Sequence, residues 1–167
     1  MPVSELRVGI GVDAHALVAG VPLVLGGVAI DHPRGLAGHS DGDVIAHALI
    51  DALLGAAGLE DIGALFPSAD ERWRGASSLA LLTAAYAEVC GAGYELVNAD
   101  CVLVGEEPRL APHRQEMRER LAGALGVPPD RVAVRATTTD QLGFTGRGEG
   151  LAAQAVALLR AAGTDDA

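Results

Sequence analysis

The 167-residue chain contains no lysine: all 12 of its basic residues are arginine, against 22 acidic residues. That absence excludes a Walker-type phosphate-binding lysine and any Schiff-base mechanism. Aromatic residues make up only 3% of the chain, and the net charge is −10. Such a balance argues against nucleic acid or an anionic membrane as a partner. Cysteine is scarce too. Cys90 and Cys101 are too few and too unpatterned for a disulfide scaffold or a cysteine zinc site. They are expected to be buried thiols in a reducing compartment. No apolar run reaches 18 residues, and no charged segment followed by an apolar one opens the chain, so the expected location is the cytoplasm.

What is present is apolar: 50% of residues, enough for one domain with a real core. The expectation is a single domain over residues 1–167, with a core of about 6–160 between short flexible tails. Residues 6–14 alternate as a strand, and 21–30 read as a hairpin turning at Gly26-Gly27. Helices are expected over about 43–57, 77–91 and 112–125, the last closed by Gly126, and strands over 94–105 and 131–138. The tail from 151 to 162 is ambiguous, since its Ala and Leu favour helix while the run also suits a buried strand. Interleaved strands and helices point to an α/β or α+β layer sandwich.

An acidic chain can still bind phosphate through helix N-termini, backbone N–H groups, Arg or metal ions. Three stretches offer such chemistry. Asp13-x-His15 ends the first strand, and a two-residue spacing turns carboxylate and imidazole to one face. With His47 as a third ligand they make a zinc set with one position open. HSDGDVIAH (39–47) starts a helix with Ser40-x-x-Asp43, which fits a capping box. Asp43, His47 and Asp51 follow at four-residue steps, which on local grounds reads as a solvated helix face. ATTTDQLGFTGRGEG (136–150) combines hydroxyls, the Asp140 carboxylate, glycines and Arg147, though a Thr-rich strand end followed by a glycine turn has the same look. EEPRLAP (106–112) reads as a plain polar loop, and His32 and His113 as surface residues.

Together, GVDAHAL, HSDGDVIAHALIDALLGAAGLEDIGALFP and ATTTDQLGFTGRGEG resemble the 2-C-methyl-D-erythritol 2,4-cyclodiphosphate synthase family of the non-mevalonate isoprenoid pathway, over about residues 7–160. The resemblance implies an α+β fold, a mixed and mostly antiparallel sheet covered by helices, whose sheets meet at the axis of a homotrimer. It makes the tail a strand. It implies that 4-diphosphocytidyl-2-C-methyl-D-erythritol 2-phosphate is cyclised with release of CMP. Asp13, His15 and His47 match zinc ligands, and Asp13, Ala14 and His15 also line the substrate. His39 and Ser40 match phosphate contacts at the helix start, so that face becomes functional. His39 and Thr138 match the groups that stabilise the transition state.

Asp61, Ile62 and Gly63 match a ribose-binding turn, and Phe66, Pro67, Ser68, Ala69 and Asp70 a substrate loop. Gly105, Glu106, Glu107, Pro108, Arg109, Leu110 and Ala111 match the cytidine-binding loop. Thr137, Thr139, Phe144 and Arg147 complete the implied substrate contacts, and Asp43 is implied to support a zinc ligand. Asp140 stands where the family usually has a Glu holding a second ion, Mg2+ or Mn2+, and Ser68 replaces a usual acidic residue. Arg147 and Glu149 are implied to lie near the threefold axis, with an isoprenyl diphosphate as candidate ligand. The competing readings are a zinc-dependent phosphohydrolase and a non-catalytic trimeric module that binds nucleotide or metal.

Overall fold

Alternation does produce a strand at the start of the chain, and the computed structural model carries it past Ala14 to Ala19 (β1, Leu6–Ala19). The structure describes residues 5–163, so most of the expected tails lies outside the described residues, and the last strand runs to Ala161. Numbered in chain order, β2 (Leu23–Leu25) and β3 (Val28–Ile30) form the expected hairpin, with Gly26 and Gly27 both at positive φ. β4 (Arg34–Leu36), β5 (Tyr94–Val104), β6 (Val132–Thr137) and β7 (Gly150–Ala161) join β1 in a sheet of order β4–β1–β7–β5–β6. Only β5 and β6 run parallel; every other pair is antiparallel. The fold is α+β with a mixed sheet, as expected.

The tail is a strand despite its helical composition. β7 lies between β1 and β5, so both of its edges are hydrogen-bonded. Its small residues Ala153, Ala155 and Ala157 are buried under the helices. Tertiary pairing overrides local propensity here.

Helices α1 (Val44–Ala56), α3 (Ser78–Gly91) and α4 (Arg114–Leu125) cover one face of the sheet, with the single turns α2 (Ile62–Leu65) and α5 (Gly143–Gly146) at its margins. α4 ends as expected at Gly126, whose φ of 66° provides the left-handed cap. α1 is the centre of the layer, with 11 of its 13 residues buried, among them His47 at 8% exposure. The solvated-face reading of the Asp43, His47 and Asp51 stripe is therefore wrong: the first two are buried and the third is half-buried. Nor does Ser40 cap it. The N-cap is Asp43, which accepts from the Ala46 N–H at 3.1 Å.

Two further expectations are corrected. Cys90 is exposed; only Cys101 is buried, and burial pushes its thiol up to about 12. His32 is not a surface residue, because its imidazole is 10% exposed and bonds the Arg34 carbonyl at 2.9 Å. Among the described residues no helix is long and apolar enough to cross a membrane.

α1 lies directly on the backbone of β1. A Cβ on Gly11 would fall inside the Ala48 carbonyl oxygen and 2.7 Å from the Ala52 nitrogen. A Cβ on Gly9 would sit 2.5 Å from the Ala56 nitrogen. The opposite face of β1 is bare: Leu6, Val8, Ile10 and Val12 are 59–70% exposed. Gly11→Ala is expected to cost about 3 kcal/mol, because backbone cannot move aside as a side chain can. Gly55→Ala, on the exposed side of α1 with 4.0 Å of clearance, should add roughly 1 kcal/mol. Denaturant midpoints of the two variants should move in opposite directions.

Candidate active site

The β1–α1 contact sets the first half of the site. Odd-numbered residues of β1 face α1, so beyond Gly9 and Gly11 the strand turns Asp13 and His15 towards the first turn of that helix, where His47 lies. Asp13 Oδ2 is 2.7 Å from His15 Nε2 and 3.0 Å from His47 Nδ1, and the two nitrogens are 3.3 Å apart. One carboxylate oxygen and two imidazole nitrogens thus converge on one point. Among the described residues this is the one cluster of three or more such groups that could hold a metal ion. The donor set suits zinc, which binds two nitrogens and an oxygen and keeps a fourth position open.

The outward nitrogens are already committed. His15 Nδ1 donates to the Ala37 carbonyl at 2.6 Å, and His47 Nε2 lies 3.0 Å from Ser40 Oγ and 2.9 Å from Ser78 Oγ. Ligand imidazoles oriented in this way are the usual mark of a metal site. Burial alone would raise the Asp13 carboxyl, but the adjoining imidazoles of His15 and His47 prevail and hold it at about 2. The hydrogen bond to Asp13 raises His15 in turn.

Asp43 makes no hydrogen bond to a ligand side chain and acts on His15 only through its charge. Its fully buried carboxylate accepts from the N–H groups of Gly26 at 2.9 Å, Gly27 at 2.7 Å and Ala46. It ties the hairpin turn to the start of α1, while burial pushes its pKa up to about 6 against those bonds. Ser78, singled out by no sequence motif, stands next to His47 instead, and Asp41 of the 39–47 stretch holds Ser78.

Around this centre, Ser40 reaches His47, and His39 Nε2 donates to the Asp70 carbonyl at 3.3 Å, joining the helix start to the 66–70 loop. Phe66 is braced edge-to-face by Trp73 at 4.9 Å, while Pro67, Ser68 and Ala69 are exposed. Asp61 caps α2 through the Ala64 N–H, and Asp51, one turn beyond His47, accepts from the Ile62 N–H at 2.8 Å. Ala14 points to the bare face.

The remaining expected residues gather elsewhere. Gly105, Glu106, Pro108, Arg109, Leu110 and Ala111 line a cavity of about 310 Å³ with Arg114, Ala136, Thr137 and Thr138. Glu106 Oε1 accepts from the N–H groups of Thr139 at 3.3 Å and Gln141 at 3.2 Å, which fastens a turn where Asp140 and Gln141 both have positive φ. Asp140 accepts from Thr138 Oγ1 at 3.2 Å. Arg147 pairs with Glu149 at 2.8 Å, close to the half-exposed Phe144. In the sheet, Asp13, Ala153, Leu103 and Ala136 form one row, so three strand spacings of roughly 14 Å in all separate the two groups.

The family model that matches is described as the YgbB family and covers residues 6–160. A protein of Rubrobacter xylanophilus called 2-C-methyl-D-erythritol 2,4-cyclodiphosphate synthase is 61% identical over 95% of this chain and 98% of its own length. One of the same name from Moorella thermoacetica is 59% identical over 92% and 94%. The chain belongs to the 2-C-methyl-D-erythritol 2,4-cyclodiphosphate synthase family. Its activity is that of this lyase of isoprenoid biosynthesis, which closes a cyclic diphosphate. Among solved structures, a synthase in a form with bound CDP superposes with a TM-score of 0.84 at 42% identity, covering 92% of this chain and 99% of that one. The bifunctional IspDF of Campylobacter jejuni gives 0.92 at 44% identity over 96% of this chain, which spans 43% of that longer protein.

In the metal-free protein, Asp13 should govern an acid limb of stability. Its folded pKa lies below its ordinary 3.8, so the stabilisation is present above pH 4 and is lost as pH falls towards 2. A shift to about 2 corresponds to roughly 2 kcal/mol. Asp13→Asn should flatten that limb by this amount in urea titrations run between pH 2 and 5.

Proposed function

We propose that the chain converts 4-diphosphocytidyl-2-C-methyl-D-erythritol 2-phosphate into 2-C-methyl-D-erythritol 2,4-cyclodiphosphate and CMP at a centre formed by Asp13, His15 and His47. The observation that carries this reading is the convergence of their three ligand atoms, with the outward imidazole nitrogens already bonded. An oxygen of the 2-phosphate attacks the β-phosphorus. The bond from that phosphorus to the bridging oxygen breaks, and CMP leaves with the electron pair. No protein nucleophile takes part, so the chain must supply alignment and charge neutralisation. Zinc held by Asp13, His15 and His47 would supply Lewis-acid charge to the phosphoryl oxygens.

The residues around the centre divide the remaining work. His39 and Ser40 hold phosphate oxygens at the start of α1, where backbone N–H groups add positive potential. Asp61, Ile62 and Gly63 hold the ribose, their turn fixed by the bond that the Ile62 N–H donates to Asp51. Phe66 to Asp70 close over the substrate. The 105–111 loop reads cytidine through its main chain, and the CDP bound to a related synthase supports a cytidine-linked substrate. Arg109 and Arg114 line that cavity without an ion-pair partner among the described residues, which leaves their charge for phosphate. Asp140, one carbon shorter than a Glu and so with roughly 1.5 Å less reach, would help hold a Mg2+ or Mn2+ ion, whose charge would neutralise the phosphates. Arg147 is the cation for an isoprenyl diphosphate at the axis, which would have to displace Glu149 from it.

His39 and Thr138 act on the same phosphates in this mechanism, yet within one chain they belong to the two separated groups. A homotrimer resolves this, with the cytidine loop and Thr138 of one subunit facing the metal centre of the next. Its interface is the bare sheet face, where Leu6, Val8, Ile10 and Val12 of β1 and Val156 of β7 are 42–70% exposed.

³¹P NMR of the products from the authentic substrate tests the reaction. A cyclic diphosphate with one CMP is expected, whereas free inorganic phosphate would indicate a hydrolase, and bound nucleotide without turnover a binding module. His47→Ala should lower zinc from about one ion per chain to none and abolish cyclisation, while its circular dichroism stays that of the wild type. Light scattering should report a trimer for the wild type. Val8→Glu, which places three charges in the interface, should yield folded monomers; a wild-type monomer at micromolar concentration would refute the assembly.

A further inference from the structure

The two ring nitrogens of His47 meet different surroundings. Nδ1 faces Asp13 Oδ2 and His15 Nε2, whereas Nε2 is 2.9 Å from the hydroxyl of Ser78. Ser78 is fully buried at the first position of α3. Its hydroxyl donates to Asp41 Oδ1 in a short hydrogen bond, and its backbone N–H donates to Asp41 Oδ2 at 3.0 Å. The Asp43 N–H donates to the same Asp41 Oδ1 at 3.1 Å. Asp41 is thus held from two sides, and its carboxylate in turn holds the Ser78 hydroxyl.

The proton count then fixes the imidazole. A hydroxyl carries one proton, and that of Ser78 is spent on the carboxylate, so its oxygen offers His47 only lone pairs. His47 Nε2 must therefore be the donor. A neutral imidazole protonated at Nε2 carries its free lone pair on Nδ1, the atom directed at Asp13 and His15. Ser40 Oγ also lies 3.0 Å from Nε2, but no carboxylate anchors it; its other neighbours are Ser78 Oγ at 3.4 Å and the Gly42 N–H at 3.5 Å. Ser40 is free to turn towards a phosphate, and Ser78 is not.

We infer that Asp41 and Ser78 are positioning residues for the metal, a relay that fixes the tautomer and the ring plane of His47. This rests on reading Asp13, His15 and His47 as a metal site and adds Asp41, given no role of its own within the 39–47 stretch, and Ser78, which no motif marks. They come from a loop and from a helix start 37 residues further on, so α3 must dock before the His47 ring is fixed. Such outer hydrogen bonds are worth 10–100-fold in metal affinity.

Zinc affinity, measured by competition with a chromophoric chelator on the metal-stripped full chain, tests the relay. Ser78→Ala should weaken zinc about 10–100-fold, and Asp41→Asn should also weaken it, since an amide cannot accept from all three donors. Ser78→Thr, which keeps the hydroxyl, should restore affinity to within a few-fold of wild type. Ser77→Ala, at the exposed N-cap with no capping bond, should leave affinity unchanged. In zinc-loaded, ¹⁵N-histidine-labelled protein, the His47 Nε2 proton should be slow to exchange in wild type and Ser78→Thr, and fast in Ser78→Ala. If folded Ser78→Ala and Asp41→Asn bind zinc as the wild type does, the relay is only a clamp for α3 and the inference fails. If the wild type itself binds no zinc, the metal reading fails first and the relay falls with it.

Discussion

The contact of α1 with β1 at Gly9 and Gly11 governs where the site residues end up. Two residues of strand advance about 6.7 Å and four residues of helix about 6 Å, so the two elements stay nearly in step. Gly9 lies against Ala52 and Ala56, and Gly11 against Ala48 and Ala52. The next residue on that face is Asp13, and the next part of the helix is its first turn, with His47. The metal cluster is thus placed by the spacing of two regular elements, and a loop has no part in choosing its geometry. Small residues are required on both sides: glycines on the strand and an Ala48, Ala52, Ala56 stripe on the helix. Any side chain at Gly11 would lift the helix and pull His47 away from Asp13.

Charge is arranged so that the chain's own cations are mostly consumed. Arg72 pairs with Asp70, Arg74 with Glu71, Arg120 with Glu116, Arg135 with Asp100, Arg147 with Glu149 and Arg160 with Glu95. These pairs are exposed and individually add little stability. Their effect is to withdraw arginine from the anion-binding role in a chain of net charge −10. A phosphorylated substrate must then find its positive charge elsewhere. The converged ligand trio, the N–H groups opening α1, and arginines without a carboxylate partner, Arg109 and Arg114 beside the 105–111 loop among them, are what remains.

The sequence discloses one half of this arrangement more readily than the other. Asp13-x-His15 on a strand and His47 on a helix are visible as patterns because each belongs to a regular element with a known period. The hairpin at Gly26-Gly27 and the cap at Gly126 are visible because positive φ demands glycine there. Ser40 misleads, since Ser-x-x-Asp has the form of a capping box, while the true cap is Asp43 and the Ser40 hydroxyl turns to His47. Ser78 is hidden for the opposite reason. It sits at a helix start, where serine needs no explanation, and its partners Asp41 and His47 lie 37 and 31 residues away with no periodic relation to it. Asp43 looks like a metal-site residue from its position on α1, yet it serves the hairpin turn, a contact that only the tertiary fold creates. The tail shows the same limit, because its alanines suit a helix until two neighbouring strands claim both of its edges.

The bare face of the sheet and the division of the site are two aspects of one constraint. Between Asp13 and Ala136 the row across the sheet runs through Ala153 and Leu103, which are 1% and 2% exposed. A substrate cannot cross that core, so within one chain the metal centre and the cytidine-side cavity open onto different surroundings. The face that could join them is the one the helices leave uncovered. On β1 it carries Leu6, Val8, Ile10 and Val12, a row of four apolar residues that a monomer would have to present to water. Burying that row between subunits would remove the apolar surface and, in the proposed trimer, set the metal half of one chain against the 105–111 loop of another. On this reading the alternation that builds β1 serves two ends: its odd residues seat α1 and the ligands, and its even residues assemble the partner that completes them.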